Sequence, residues 1–191
     1  MTRRRLPLCA AFVALVSVGC GRGPADPALL EQADAFFSEG RADEALLLAK
    51  QYLCDYPEDA SAHYLLGACY RAVTPPWLTL AEGELGTALA CFRRTGRRGA
   101  LSRFDSDHDF ELAVHRGRAL IGIAWLREAM DRGLRGQYLA KLAGQCLEHV
   151  REGLRLAPGH PELREMQVML ETFVEERPPP RPALPGEGIV V

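Results

Sequence analysis

Three acids at alternating positions, five histidines and six cysteines are the residues of this 191-residue chain whose types could do chemistry. Asp105, Asp107 and Asp109 begin like a calcium loop. Such a loop needs glycine next and a bidentate glutamate at its twelfth place, and Phe110 and Arg116 stand there. The acids read instead as helix-start residues, favoured beside the positive end of a helix dipole. His63, His108, His115, His149 and His160 fall in separate helical and turn segments. A metal site needs several of them to converge. Cys54, Cys69, Cys91 and Cys146 each lie inside an apolar helical pattern, with no C-x-x-C and no zinc-like Cys/His spacing. Cysteine in such a setting packs as a small hydrophobe. Four thiols also allow three pairings, of which Cys54 with Cys69 is the first to test, because consecutive helices bring them near. There is no Gly-x-Ser-x-Gly, no phosphate-cradling glycine loop and no His-Glu-x-x-His. Neither a catalytic residue, a metal nor a cofactor is expected.

The remaining candidate is the Cys20 thiol. Arg3, Arg4 and Arg5 precede an apolar run from Leu6 to Gly19, which ends Val16-Ser17-Val18-Gly19 directly before Cys20. A basic start, a short apolar stretch and small residues before a cut describe a secretory leader. The run is too short to cross ~30 Å of hydrocarbon at 1.5 Å per residue. With cysteine immediately after the cut, the segment resembles a bacterial lipoprotein signal. That resemblance implies that Cys20 becomes the mature N-terminus and carries acyl chains such as palmitate. Each buried methylene adds ~0.8 kcal/mol, so two or three chains hold stably where one would not. Gly21 in place of Asp, by resemblance to Gram-negative lipoproteins, implies the outer membrane, facing the periplasm. The alternative is an ordinary secreted protein in which Cys20 is incidental. Export would permit disulfides.

Removing residues 1–19 takes three of the 23 basic residues and none of the 25 acidic ones, which moves the formal net charge from −2 to −5. A mildly acidic exported chain argues against nucleic acid as a partner. About 170 residues then remain, enough for one domain with a sizeable core. The chain divides into a leader (1–19), a lipidated linker (20–26), a helical domain (27–176) and a tail (177–191). That tail holds Pro178, Pro179, Pro180, Pro182 and Pro185. It is expected to be disordered, favouring extended polyproline conformation outside the packed core.

The elements that position these residues carry an internal period. Leu29, Gln32, Ala33 and Phe36 align with His63, Leu66, Gly67 and Tyr70, every pair 34 residues apart. Between them Gly40-Arg41 turns the chain into a second helix with Ala45, Leu48, Ala49, Tyr52 and Leu53 at helical spacing. It ends at Asp55-Tyr56-Pro57, since proline cannot continue a helix. The spacing predicts helices from about Asp26-Pro27 to 39, then over 42–55, 60–72, 80–95, from the Asp105–Asp109 cluster to 132, and over 137–156 and 161–176. Asp26 and Asp59 read as N-caps, and Thr79-x-x-Glu82 as a capping box. The arginine cluster 93–98 suits either a solvated helix C-terminus or an anionic lipid or acidic partner.

Leu66-Gly67-x-x-Tyr70 and Ile121-Gly122-x-x-Trp125, with Pro57 and Pro158 at the turns, resemble the tetratricopeptide repeat. Ala88 with Phe92 stands as the middle repeat's small-then-aromatic pair. The departures are a missing tryptophan early in each first helix, where Leu29 and His63 stand, about nine extra residues between Gly67 and Ala88, and about twelve between Gly122 and Cys146. The resemblance implies an all-α fold, a right-handed superhelical stack of about three helix pairs plus a C-terminal capping helix. Leu163, Met166, Met169, Leu170 and Phe173 form that last helix's apolar stripe, beneath a polar outer face. The first helix of each pair then lines a concave groove. By alignment with the family the groove residues are Leu30, Asp34, Phe37, Tyr64, Ala68, Arg71, Ala119, Ile123 and Arg127, with Arg71 and Arg127 placed to pair with a partner's carboxylates. If the two insertions bury Phe37 and Ile123, no open groove is left. The implied partner is a segment of another envelope protein, in pilus, secretion-channel or outer-membrane assembly. The alternative is a lipoprotein that regulates or acts in cell-wall metabolism.

Overall fold

The computed structural model describes residue 26 and residues 28–176; the leader, Cys20, Pro27 and the proline-rich tail lie outside the described residues. Seven helices follow in order: α1 (Ala28–Ser38), α2 (Ala42–Asp55), α3 (Ala60–Ala72), α4 (Leu78–Thr95), α5 (Asp107–Asp131), α6 (Gln137–Leu156) and α7 (Pro161–Glu176). Among the described residues there is no strand. Each helix packs on its neighbours in the chain, and α3 also touches both α1 and α5. The architecture is a stack of helix pairs, α1–α2, α3–α4 and α5–α6, closed by α7 on α6. Among the described residues no helix is long and apolar enough to cross a membrane.

The helix ends follow from local chemistry. The Ala28 amide donates to the Asp26 carboxylate at 3.0 Å, and the Ala62 amide to Asp59 at 2.9 Å. Each bond satisfies one of the N–H groups that the first turn leaves open. Ser106 caps α5 by accepting from the Asp109 amide at 3.1 Å, and Asp107 and Asp109 fill the first turn. The alternating acids are therefore helix-start residues. Among the described residues no group of three or more His, Cys, Asp or Glu is placed to hold a metal ion. Gly96 ends α4 in the left-handed region, φ +65°, and returns its N–H to the Phe92 carbonyl. The Thr79 capping box does not form. Helix α4 begins two residues earlier, at Leu78, its N-terminus has no side-chain cap, and Glu82 reaches across to Arg118.

Small residues set the spacing within a pair. A Cβ at Gly67 would lie 2.9 Å from Leu85 Cγ and 3.1 Å from the Ala81 carbonyl oxygen; one at Gly122 would lie 3.0 Å from both Cβ and Sγ of Cys146. Gly122 and Cys146 thus face each other as the repeat alignment places them. In the middle pair Ala81 and Leu85 oppose Gly67, in place of Ala88 and Phe92. The connection before α4 (73–77) is only slightly longer than the one before α2 (39–41). The extra residues of the middle repeat lie instead in a longer α4 and in the 96–106 connection. Those of the third repeat lengthen the α5–α6 hairpin, whose tip exposes Met130, Leu134 and Tyr138. Because the neighbours of both glycines include backbone or Cβ atoms, Gly67→Val and Gly122→Val are each expected to destabilise by about 2 kcal/mol through overpacking. A lowered urea midpoint with an unchanged slope checks this.

The core has two parts. One runs through α1–α4 and takes Phe110, Val114 and Ile121 from α5 together with Leu101 and Phe104 from the connection. The other joins Ala119, Leu126 and Ala129 of α5 to α6 and α7. Helix α5 therefore buries apolar residues on two faces, one for each part. In α7, Leu163, Met166 and Leu170 are buried, but Met169 turns outward and is exposed beside Val168. The outer face of this last helix is accordingly less polar than its sequence stripe suggests.

Candidate functional site

The odd-numbered helices α1, α3 and α5 lie side by side, and their common face is where the repeat pattern places a groove. Of the residues assigned to it, Leu30, Ala68 and Ala119 are buried in the core. Phe37 is half-buried against the first core and Ile123 against the second. Arg71 is half-buried and Arg127 exposed. Asp34 and Tyr64 are brought together by a feature that the repeat pattern does not contain: residues 99–104 of the α4–α5 connection fold back onto α1 and α3.

This strap is fastened by side chains of the helices beneath it. The Ala100 amide donates to Asp59 Oδ2 at 2.9 Å, the Leu101 amide to Ser61 Oγ at 3.1 Å, and the Ser102 amide to Glu31 Oε1 at 2.8 Å. The Arg103 guanidinium pairs with the Asp34 carboxylate. Phe104 meets the Tyr64 ring edge-on, centroids 5.1 Å apart, and both meet Phe110. T-shaped contacts of this kind match the negative ring face of one partner to the positive edge of the other. Gly99 makes the approach possible. Its φ is +110°, and a Cβ there would sit 1.9 Å from Asp59 Oδ1. Burial pushes the Asp34 carboxyl up, and Arg103 only partly counters it.

Asp59 is the hub of this end. Besides capping α3 and holding Ala100, it accepts from the Tyr52 hydroxyl at 3.0 Å and from Ser61 Oγ at 2.7 Å. Burial, and then the Asp59 charge, push the Tyr52 phenol well above its ordinary range. Two arginines of the cluster are used within the chain: Arg94 pairs with Glu58 at 3.1 Å, and Arg98 with Asp107 at 3.1 Å and with the Phe104 carbonyl. An open cleft of about 590 Å³ lies beside the strap, lined by Glu58, Asp59, Arg97, Arg98 and Asp107 among others. Nearer the other end of α3 the charges mix. Arg116 of α5 pairs with Glu162 of α7, whose carboxyl is held low by Arg116 and, more weakly, by Arg71.

Sequence reasoning reached the Asp59 cap and assigned Asp34 and Tyr64 to a partner's groove, where the strap now lies on them. It missed Glu31, Ser61 and the strap itself, for which Leu101 and Phe104 inside an otherwise polar connection are the available signal. It also missed that two of the scattered histidines meet: the His115 and His149 rings lie with centroids 5.8 Å apart, tilted by 39°. All four described cysteines are free. Cys54 is exposed on α2 while Cys69 is buried, so the pair first considered for a bridge does not join. Burial pushes the Cys69 thiol up to about 12 and the Cys146 thiol up to about 11. Such thiols stay protonated and inert.

No family model matches the chain, and no curated protein matches it. Among solved structures it is similar to the first TPR of Spaghetti (RPAP3) bound to the HSP90 peptide SRMEEVD, with a TM-score of 0.53 over 78% of this chain and 94% of that one, at 13% sequence identity. At that identity the likeness shows the fold, a tetratricopeptide-like stack of helix pairs.

Proposed function

We propose that this protein is a lipid-anchored cell-envelope scaffold, tethered through acyl chains on Cys20, whose helical-repeat groove binds a segment of another envelope protein. One observation carries the binding half of this reading: α1, α3 and α5 share a face on which a non-helical stretch of polypeptide already lies, its amides held by side chains and its Leu101 and Phe104 packed into the core. The solved tetratricopeptide domain of the same fold has a peptide bound to it, which supports a protein segment as the ligand class. Arg71 and Asp59 stand at opposite ends of α3, so the face is acidic at one end and carries Arg71 and, further along α5, Arg127 at the other. Those two arginines are available to a partner's carboxylates, in assembly of pili, secretion channels or outer-membrane proteins.

The anchoring half rests on the leader sequence. In the native envelope the protein is expected in the membrane fraction, with a mature N-terminal Cys20 carrying the mass of its acyl chains. Cys20→Ser is expected to move it to the soluble fraction. Mass spectrometry that finds residue 20 unmodified and residues 1–19 still attached rejects the anchor. Crosslinking in the envelope, followed by identification of what is joined to the Arg71 and Arg127 face, tests the scaffold; a wild-type chain that joins nothing rejects it.

A further inference from the structure

Residues 99–104 sit on α1 and α3 as a bound peptide would. Three successive amides donate to side chains that lie 40 to 71 residues earlier in the chain. An ordinary surface connection satisfies its amides with water or within its own turn. Leu101 and Phe104 are 4% and 7% exposed, a degree of burial typical of anchor residues. Between them Arg103 reaches Asp34. The floor is acidic: Glu31, Asp34 and Asp59 face the strap, and α1 carries no arginine or lysine. Such a surface favours cationic segments and repels anionic ones.

We infer that this face is a binding site for a non-helical segment of another protein that presents an apolar residue, a polar residue, an arginine or lysine, and an aromatic residue in succession, and that residues 99–104 occupy it in cis as a displaceable competitor. The inference rests on the reading that the groove holds a protein segment, and it names that segment's chemistry. Departure of the strap uncovers Tyr64 and Phe110, which the partner's apolar and aromatic residues cover in its place, while the floor's own polar bonds stay formed. The Asp59 bond to the Ala62 amide does not involve the strap, and Glu31 and Asp34 are left facing water. A partner with the same side-chain order makes the same bonds. The fraction of time the strap is away then scales the partner's apparent affinity.

The test uses a fluorescein-labelled peptide with the sequence of residues 97–106, added to the full chain and followed by fluorescence anisotropy. Gly99→Ala in the protein bars the strap from its seat, because the new Cβ would overlap Asp59, while the peptide keeps its own glycine. Arg103→Glu in the protein is a second way to expel the strap, by repulsion from Asp34. Each variant is expected to bind the peptide at least about ten-fold more tightly than the wild-type chain, as follows if the wild-type site is open a tenth of the time or less. Asp34→Arg added to Gly99→Ala, or glutamate in place of arginine at the peptide position matching Arg103, is expected to abolish the gain. Variants that keep wild-type helicity by circular dichroism but bind no better than wild type overturn the inference. So does a concentration-dependent dimer of the variants that the peptide cannot dissociate, since a second copy would then be the occupant. If an envelope partner still crosslinks equally to wild type and variants, only this site is lost and the scaffold reading stands.

Discussion

Asp59→Ala is expected to lower the unfolding free energy by about 3 to 4 kcal/mol, several times the effect of losing an ordinary helix cap. A cap alone contributes ~1 kcal/mol. This carboxylate, however, accepts from Tyr52, Ser61, Ala62 and Ala100 together. Hydrogen bonds to a charged acceptor contribute ~1.5–3 kcal/mol each. The Ala100 amide can turn to water once the strap lifts, which trims the sum. The Tyr52 hydroxyl cannot, because its residue is 2% exposed, and a buried donor without a partner costs the full desolvation of that group. Asp59→Asn keeps one oxygen for Ala62 and Ser61 but turns an N–H toward the Ala100 amide, so an intermediate loss is expected. Urea unfolding followed by circular dichroism ranks the two variants. Hydrogen exchange at Ala100 and Leu101 should speed up in both. If Asp59→Ala loses no more than ~1 kcal/mol, the residue is only a cap.

The second large effect is on the acid side. Burial holds the His115 imidazole down at about 4, with the neighbouring His149, Arg118 and Arg93 adding to the effect and Glu152 opposing it. His149 is likewise held down at about 4, by burial and Arg118. In the unfolded chain both bind a proton near pH 6.5. Between those values the unfolded state carries more protons, so stability is intact above pH 6.5 and falls as the pH drops toward 4. For His115, at 4% exposure, the shift corresponds to about 3 kcal/mol over that window at 1.36 kcal/mol per pKa unit, and His149 adds in the same direction. The His115 Nδ1 is buried with no hydrogen-bond partner among the described residues. His115→Phe is therefore expected to flatten the pH dependence while costing little at pH 7. Urea midpoints at pH 7.5, 6 and 5 for both proteins decide it. Parallel curves would show that His115 does not carry the dependence.

Much of the fold was legible because its signals are local. Proline at 57 and 158, Gly40, and the caps at Asp26 and Asp59 mark helix ends without reference to anything distant, and the 34-residue period relates one pair to the next. The Gly122–Cys146 contact could be read for the same reason. What the sequence did not show depends on long-range geometry. Nothing near Gly99 reveals that it will pass over Asp59, 40 residues earlier in the chain, and a connection rich in arginine, serine and aspartate reads as solvated. The middle-repeat register failed because an insertion can lie before a helix, within it or after it, and spacing from Gly67 alone does not distinguish these. His115 and His149 escaped because two residues on different helices, 34 apart, share no local pattern. The repeat placed Asp34 and Tyr64 on this face. Their present companions Glu31 and Ser61 have no counterpart in it.

Helix α5 closes one apolar region with one side and a second region with the other. In arrays where each unit contacts only its neighbours, the ends can fray separately. Here α6 and α7 cannot peel away without stripping one flank of the rod that Phe110 and Ile121 nail to the opposite half. The chain is thereby welded at its midpoint, and a tug at either terminus is shared by the whole body instead of being absorbed one layer at a time.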